Sequence, residues 1–381
     1  MTYSFPYLLL LTFFALLAVL YDHMEDETTR KRINMGALAV FFVFFAFRGY
    51  VYTDWQNYES LLGRMEWSYV FCLVDSDNKE MVEPGFVILC MLCKSIHESY
   101  PLVVCVCTLI NTALFLRFLR QRNIENLALA FMLFITFQGL TIMFNLLRNA
   151  ISMFLFMNAI QYIEKRKPLP YFALCLAALM FHMSSAVFFP LYFFLNRRLN
   201  RWVYLAIAGG LMLFFLSKIS VIGTALQLAG IEGDKVEAYT ENLTSSRGIS
   251  LTDTLENVGL LTLVMLYYDE ILAKHRGHAA IVNSLLMYFF MYYVLAEFKT
   301  MSDRFAMLFS YSFWILWIDF IHLLYLKNNR ILLSTVLYLY CAFILARTIN
   351  TPAQEYDNLL FGAKSMQERQ TILHRTYEED E

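Results

Sequence analysis

The chain is 381 residues long, 59% hydrophobic and only 16% charged, with 35 Phe and a formal net charge of −2; its mean hydropathy is +0.51. Soluble domains carry about 25% charged residues, so a water-soluble globular protein is excluded. The chain also lacks a basic face interleaved with exposed aromatics, which excludes a nucleic-acid binder.

The charges fall in short clusters between apolar runs, as expected of helices that have lipid as their solvent. A helix needs roughly 20 apolar residues to cross a bilayer. Runs 3–21 and 33–48 predict the first two spans. Met1 to Ser4 carries no positive charge and Arg30-Lys31-Arg32 follows the first run, so that run reads as a retained helix rather than a cleaved signal. After loop 49–83, segment 84–98 is apolar but short and holds Lys94, which suits a re-entrant or interfacial hairpin. Runs 100–117, 125–144 and 146–163 predict three more spans. Pro168 and Pro170 open the run 169–196, Phe181-His182-Met183-Ser184-Ser185 interrupts it, and Pro190 lies beyond. Two short helices meeting near His182 are expected there. Runs 202–218, 254–273, 279–298, 304–326 and 330–347 follow, with loop 219–253 after the first and a polar tail over 348–381. The expected fold class is an all-α polytopic integral membrane protein, with about twelve transmembrane helices within 1–347.

More than half of the 30 Lys and Arg lie in six short loops: 30–32, 117–122, 165–167, 197–201, 274–276 and 327–330. All six share one side if 84–98 does not cross and 169–196 crosses twice, which by the positive-inside rule makes that side cytoplasmic and both termini outer. The seven cysteines make no framework, because Cys90-x-x-Cys93 has neither a second pair nor a nearby His to complete a zinc site. No metal and no cofactor are expected.

Ionisable groups at membrane depth are costly and mark function. Arg48 with Asp54 and Tyr58, Glu83, Asn145 with Arg148, His182, and Asp303-Arg304 all fall at the outer ends of helices in this topology. Each has a plainer reading. Arg48 and Arg304 can snorkel to headgroups, His182 can be a satisfied core histidine, Asp54 a solvated loop residue, and Glu83 a charge favoured by a helix N-terminus. Taken together they suit diphosphate chemistry. Guanidinium groups bind phosphate oxygens through two parallel hydrogen bonds and stabilise a polyanionic leaving group, while a histidine or carboxylate takes a proton from an incoming hydroxyl. Tyr50, Tyr52, Trp55, Tyr58, Trp67 and Tyr69 serve equally as sugar-stacking rings or as an interfacial aromatic belt. Loop 219–253, with Arg247, is long and polar enough to lid such a site.

The series Phe47-Arg48-Gly49, Thr53-Asp54-Trp55-Gln56-Asn57-Tyr58, Glu83-Pro84-Gly85-Phe86, Leu147-Arg148-Asn149-Ala150-Ile151, Phe181-His182-Met183-Ser184-Ser185-Ala186 and Asp303-Arg304-Phe305 resembles, in order over about residues 33–310, the EpsG family of Wzy-type polysaccharide polymerases. The resemblance implies a C-type glycosyltransferase-like bundle in the bacterial inner membrane, active at the periplasmic or outer face. Its donor and acceptor would be undecaprenyl-diphosphate-linked oligosaccharides, polymerised into an O-antigen, capsule or exopolysaccharide, with a chain-length regulator or flippase as a further partner. On this resemblance Arg48, Arg148 and Arg304 bind diphosphate, His182 is the base, and Asp54 and Glu83 match acidic positions of the family. The histidine motif here is one residue longer than the family's His-x-Ser-Ala. A transporter or flippase for lipid-linked sugars, or a membrane acyltransferase, is the alternative reading. Against the transporter stand the lack of paired halves and the gathering of polar groups at one face rather than the midplane.

Overall fold

The computed structural model describes residues 3–71, 82–217, 251–274, 278–296 and 299–380. Among these there is no β-strand, and the chain is helical, with one isolated antiparallel bridge between Arg48 and Asn358. It divides into two compact units, residues 1–190 with 324–381, and residues 191–323.

In the first unit, α1 (Phe5–His23) and α2 (Glu27–Ala46) are joined by a short turn. Asp26 caps α2 by accepting from the backbone N–H of Thr28 and Thr29, and these bonds together with the Thr29 hydroxyl hold its carboxyl below the usual value. There follow α3 (Trp55–Arg64), α4 (Pro84–Ile96), α5 (Tyr100–Gln121), α6 (Leu127–Phe134), α7 (Leu140–Phe144), α8 (Leu147–Glu164) and α9 (Pro168–Leu179). Proline opens α4, α5 and α9, where its missing N–H costs nothing. Helix Lys327–Thr348 returns to pack on α1.

The abundance of Phe finds its reason in the core of this unit. Phe41 of α2 stacks on Phe131 of α6 at 4.3 Å, and Phe115 of α5 meets Phe134 and Phe154 at 4.7 and 5.4 Å. Helix α8 is buried along most of its length, and its Asn158 is satisfied internally. Asn158 donates to the carbonyls of Leu114 and Phe154 and accepts from Gln121. At one end of the unit, Arg122 pairs with Glu164 at 2.7 Å and Asn126 donates to Asp22, which gathers the basic turns after α1, α5 and α8.

Helices Phe5–His23, Tyr100–Gln121, Leu127–Phe144 and Asn328–Thr348 are long and apolar enough to cross a membrane; the pair Met301–Met307 and Tyr311–Leu323, bent by 46°, makes a fifth if it is one span. Several other apolar runs appear as shorter or interrupted helices. The 13 residues of α4 reach about 20 Å, short of a hydrocarbon core of about 30 Å. The run 125–144 is interrupted by a π-turn at Ile135–Gly139, where Phe137 and Gln138 leave helical geometry. The run 169–196 ends its first helix at Leu179 and resumes as a 3-10 turn, Met183–Val187, with His182 at the break.

In the second unit, Asn283 of helix His278–Val294 donates to the carbonyls of Leu195 and Arg197 and accepts from the Tyr204 hydroxyl of helix Arg201–Leu216. Ser302, on helix Lys299–Met307, donates to the carbonyl of Tyr292 at 2.7 Å.

Candidate active site

Three chain segments meet where α4 and α8 begin and α9 ends. Arg148 is the second residue of α8 and Glu83 the residue before α4. They form an ion pair, Arg148 Nη1 to Glu83 Oε2 at 2.7 Å, with side-chain exposures of 23% and 7%. The other carboxylate oxygen of Glu83 accepts from the backbone N–H of Met183 at 2.9 Å, so Glu83 bridges α8 to the break after α9. Gly85 reinforces this junction. Its N–H donates to the Met180 carbonyl at 2.8 Å, and a Cβ at this position would lie 2.7 Å from that same oxygen. Only glycine permits so close an approach.

The rings of Tyr58 and Phe86 lie 5.8 and 5.9 Å from the Arg148 guanidinium carbon. This is cation–π range, worth about 0.5–2 kcal/mol each. Asn149, one residue on, accepts from the Ser184 hydroxyl at 3.3 Å and is buried. The Ser184 N–H donates to His182 Nδ1 at 3.1 Å. In a neutral ring that bond places the hydrogen on Nε2. The resemblance assigned His182 the role of base; in this structure its Nδ1 is already taken up by the Ser184 N–H.

Arg48 is placed differently. Its guanidinium is 2% exposed and donates to the carbonyls of Phe45 at 3.1 Å and Phe144 at 3.3 Å, over the Phe144 ring. It closes the C-terminal ends of α2 and α7, whose last carbonyls have no partner within their own helices. Asn145 accepts from the N–H groups of Thr53 and Asp54 at 3.3 and 3.4 Å, so its side chain organises the turn into α3. Asp54 is half-buried at the N-cap of α3, one turn before Tyr58.

The region that sequence reasoning missed is the segment after Thr348, expected to be a polar tail. Residues 351–369 pack along the end of α2. Leu359 N–H donates to the Phe47 carbonyl at 2.7 Å, Gly49 N–H to the Asp357 carbonyl at 3.2 Å, and Tyr52 N–H to the Ala353 carbonyl at 2.8 Å. Tyr356 stacks on Phe44 at 4.1 Å. Arg369, its side chain 2% exposed, pairs with Asp357 at 2.8 Å and donates to the Glu355 carbonyl at 2.7 Å. Glu355 also pairs with Lys364. A Cβ on Gly49 would fall 2.0 Å from an Asp357 carboxylate oxygen. This seam holds Tyr52 at a left-handed φ of 68°. The Pro352 and Gly362 punctuation around the apolar Leu359-Leu360-Phe361 was the available signal.

Arg304 lies exposed on helix Lys299–Met307 in the second unit. Arg247 lies outside the described residues, as does most of loop 219–253. Among the described residues no group of His, Cys, Asp and Glu could hold a metal ion.

The family model for EpsG matches residues 35–360, most of the chain. The chain belongs to the EpsG family. EpsG proteins are Wzy-like polysaccharide polymerases, and the apolar helices agree with a membrane protein. No curated protein and no solved structure matches the chain. The match ends at residue 360, so it takes in the junction of Glu83, Arg148 and His182 and the first part of the seam, but not Arg369.

Proposed function

We propose that this EpsG chain joins polyprenyl-diphosphate-linked oligosaccharide repeat units into a surface polysaccharide, at the outer face of the bacterial inner membrane, with about twelve spans counted from apolar length. Undecaprenyl diphosphate is the lipid carrier in this reading. The observation that carries it is the Arg148–Glu83 pair at the His182 break, a guanidinium partly open to solvent and flanked by two rings. In the reaction an acceptor hydroxyl oxygen bonds to the donor's anomeric carbon. The bond from that carbon to the diphosphate oxygen breaks, and its electron pair leaves with the diphosphate. The hydroxyl proton passes to a carboxylate, for which half-buried Asp54 on the Tyr58 helix is the candidate. Arg148 stabilises the growing negative charge on the diphosphate. His182 Nε2–H donates to substrate oxygen.

The test is polymer chain length in membranes supplied with lipid-linked repeat units. A charge-assisted contact is worth roughly 1.5–3 kcal/mol, and each 1.36 kcal/mol is about tenfold in rate. Arg148→Ala therefore slows polymerisation at least roughly tenfold at unchanged protein level. Arg148→Lys recovers part of the rate, because a point charge lacks the planar fork. Normal polymer from Arg148→Ala overturns the assignment and turns attention to sidedness of the lipid-linked unit, as for a transporter.

A further inference from the structure

Building on the diphosphate reading of this site, we infer that Glu83 occupies an anion seat made by Arg148 Nη1 and the Met183 N–H, and that a phosphate group of the substrate's diphosphate displaces it. The two carboxylate oxygens of Glu83 take one donor each, at 2.7 Å from Arg148 and 2.9 Å from Met183. A phosphate group carries oxygens of similar spacing and greater charge, and can accept from the same pair of donors. Both donors belong to segments fixed independently of Glu83. Arg148 stands on buried helix α8, between the rings of Tyr58 and Phe86. The Met183 segment is tied to α4 by the Gly85–Met180 hydrogen bond and internally by the Ser184–His182 bond. The seat therefore persists when the carboxylate leaves it. A cation as enclosed as this one is costly without a counter-ion, and Glu83 supplies one while the site is empty.

This arrangement makes Glu83 a competitor of the ligand as well as a resident of the site. Replacing it with a neutral group of the same shape removes the competing charge and leaves both donors in place. The readout is binding of farnesyl diphosphate to the full-length protein in lipid nanodiscs. Glu83→Gln is expected to bind it about tenfold more tightly than the natural sequence. Arg148→Ala is expected to lose binding, and Glu83→Gln with Arg148→Ala to behave as Arg148→Ala alone. Should Glu83→Gln not accumulate, Glu83→Asp keeps the charge but is too short to span both donors, and tighter binding is expected again. Unchanged or weaker binding in the glutamate variants, with Arg148→Ala still losing it, overturns the exchange and leaves the diphosphate site standing. Binding that survives Arg148→Ala overturns the site itself.

Discussion

Arg48 and Arg148 occupy comparable places in the chain, each at the end of an apolar helix, yet their guanidinium groups are committed differently. Arg148 faces a carboxylate side chain, which another anion replaces under the proposed exchange. Arg48 faces two main-chain carbonyls at helix C-termini. Releasing these would leave the Phe45 carbonyl with only the Thr108 hydroxyl, at 3.5 Å, and would take the Arg48 donor from the Phe144 carbonyl; a buried acceptor left unsatisfied costs about 1–3 kcal/mol. On the proposed reading, the junction of α4, α8 and α9 takes ligand into an existing charge balance, whereas the seam of α2 with residues 351–369 is closed by its own backbone. The two guanidinium groups differ in their partners, a carboxylate for Arg148 and main-chain carbonyls for Arg48, more than in their position along a helix.

The sharpest way to break this comparison is at the seam's enclosed ion pair. Removing one member of a buried pair costs about 3–5 kcal/mol. Arg369→Ala should therefore produce the largest drop in the thermal unfolding midpoint of the purified protein. An unchanged midpoint would mean the seam holds nothing together. Next comes Arg48→Ala, expected to cost about 1.5–3 kcal/mol in stability, while the folded fraction still binds farnesyl diphosphate. Loss of that ligand at full stability would put Arg48 in the same class as Arg148. Gly49→Ala forces the Asp357 carboxylate aside and should cost about 1–3 kcal/mol through overpacking, read by the same unfolding measurement. Smallest is Lys364→Ala. Its pair with Glu355 is more than a third exposed on both sides, so the change should stay below about 1 kcal/mol. A larger loss would show that the charges of the seam act as one network.

Much of the first unit could be read from local sequence. Pro168 opens a helix where expected, and the interruption at Phe181–Ser185 marks a real break with His182 in it. Arg148, Glu83 and Tyr58 could be listed as polar residues beside apolar runs, and the structure brings those three together. What escaped was set by distant partners. The π-turn at Ile135–Gly139 interrupts a mostly apolar run with no proline in it, at the polar and small residues Gln138 and Gly139. The seam was hard to read because residues 351–369 are mostly polar by composition, and their hydrogen bonds run to residues some three hundred positions earlier. The direction of the Arg48 side chain is set by the Phe45 and Phe144 carbonyls, and the Nδ1 contact of His182 by the Ser184 N–H, which no spacing reveals.

The seam also fixes an order of assembly. The Tyr7 hydroxyl donates to the carbonyl of Gln354, and the turn at Phe47–Tyr52 is completed by residues 353–359. Synthesis proceeds from the N-terminus, so α1 and α2 emerge long before the strap that closes them exists. Until ribosomes reach the final stretch of the message, Phe47, Gly49 and Tyr52 lack the backbone partners that residues 353–359 supply. A chain interrupted between the His182 break and that stretch would carry Glu83, Arg148 and His182 and still be an unfinished molecule, open to proteolytic disposal at its oldest end.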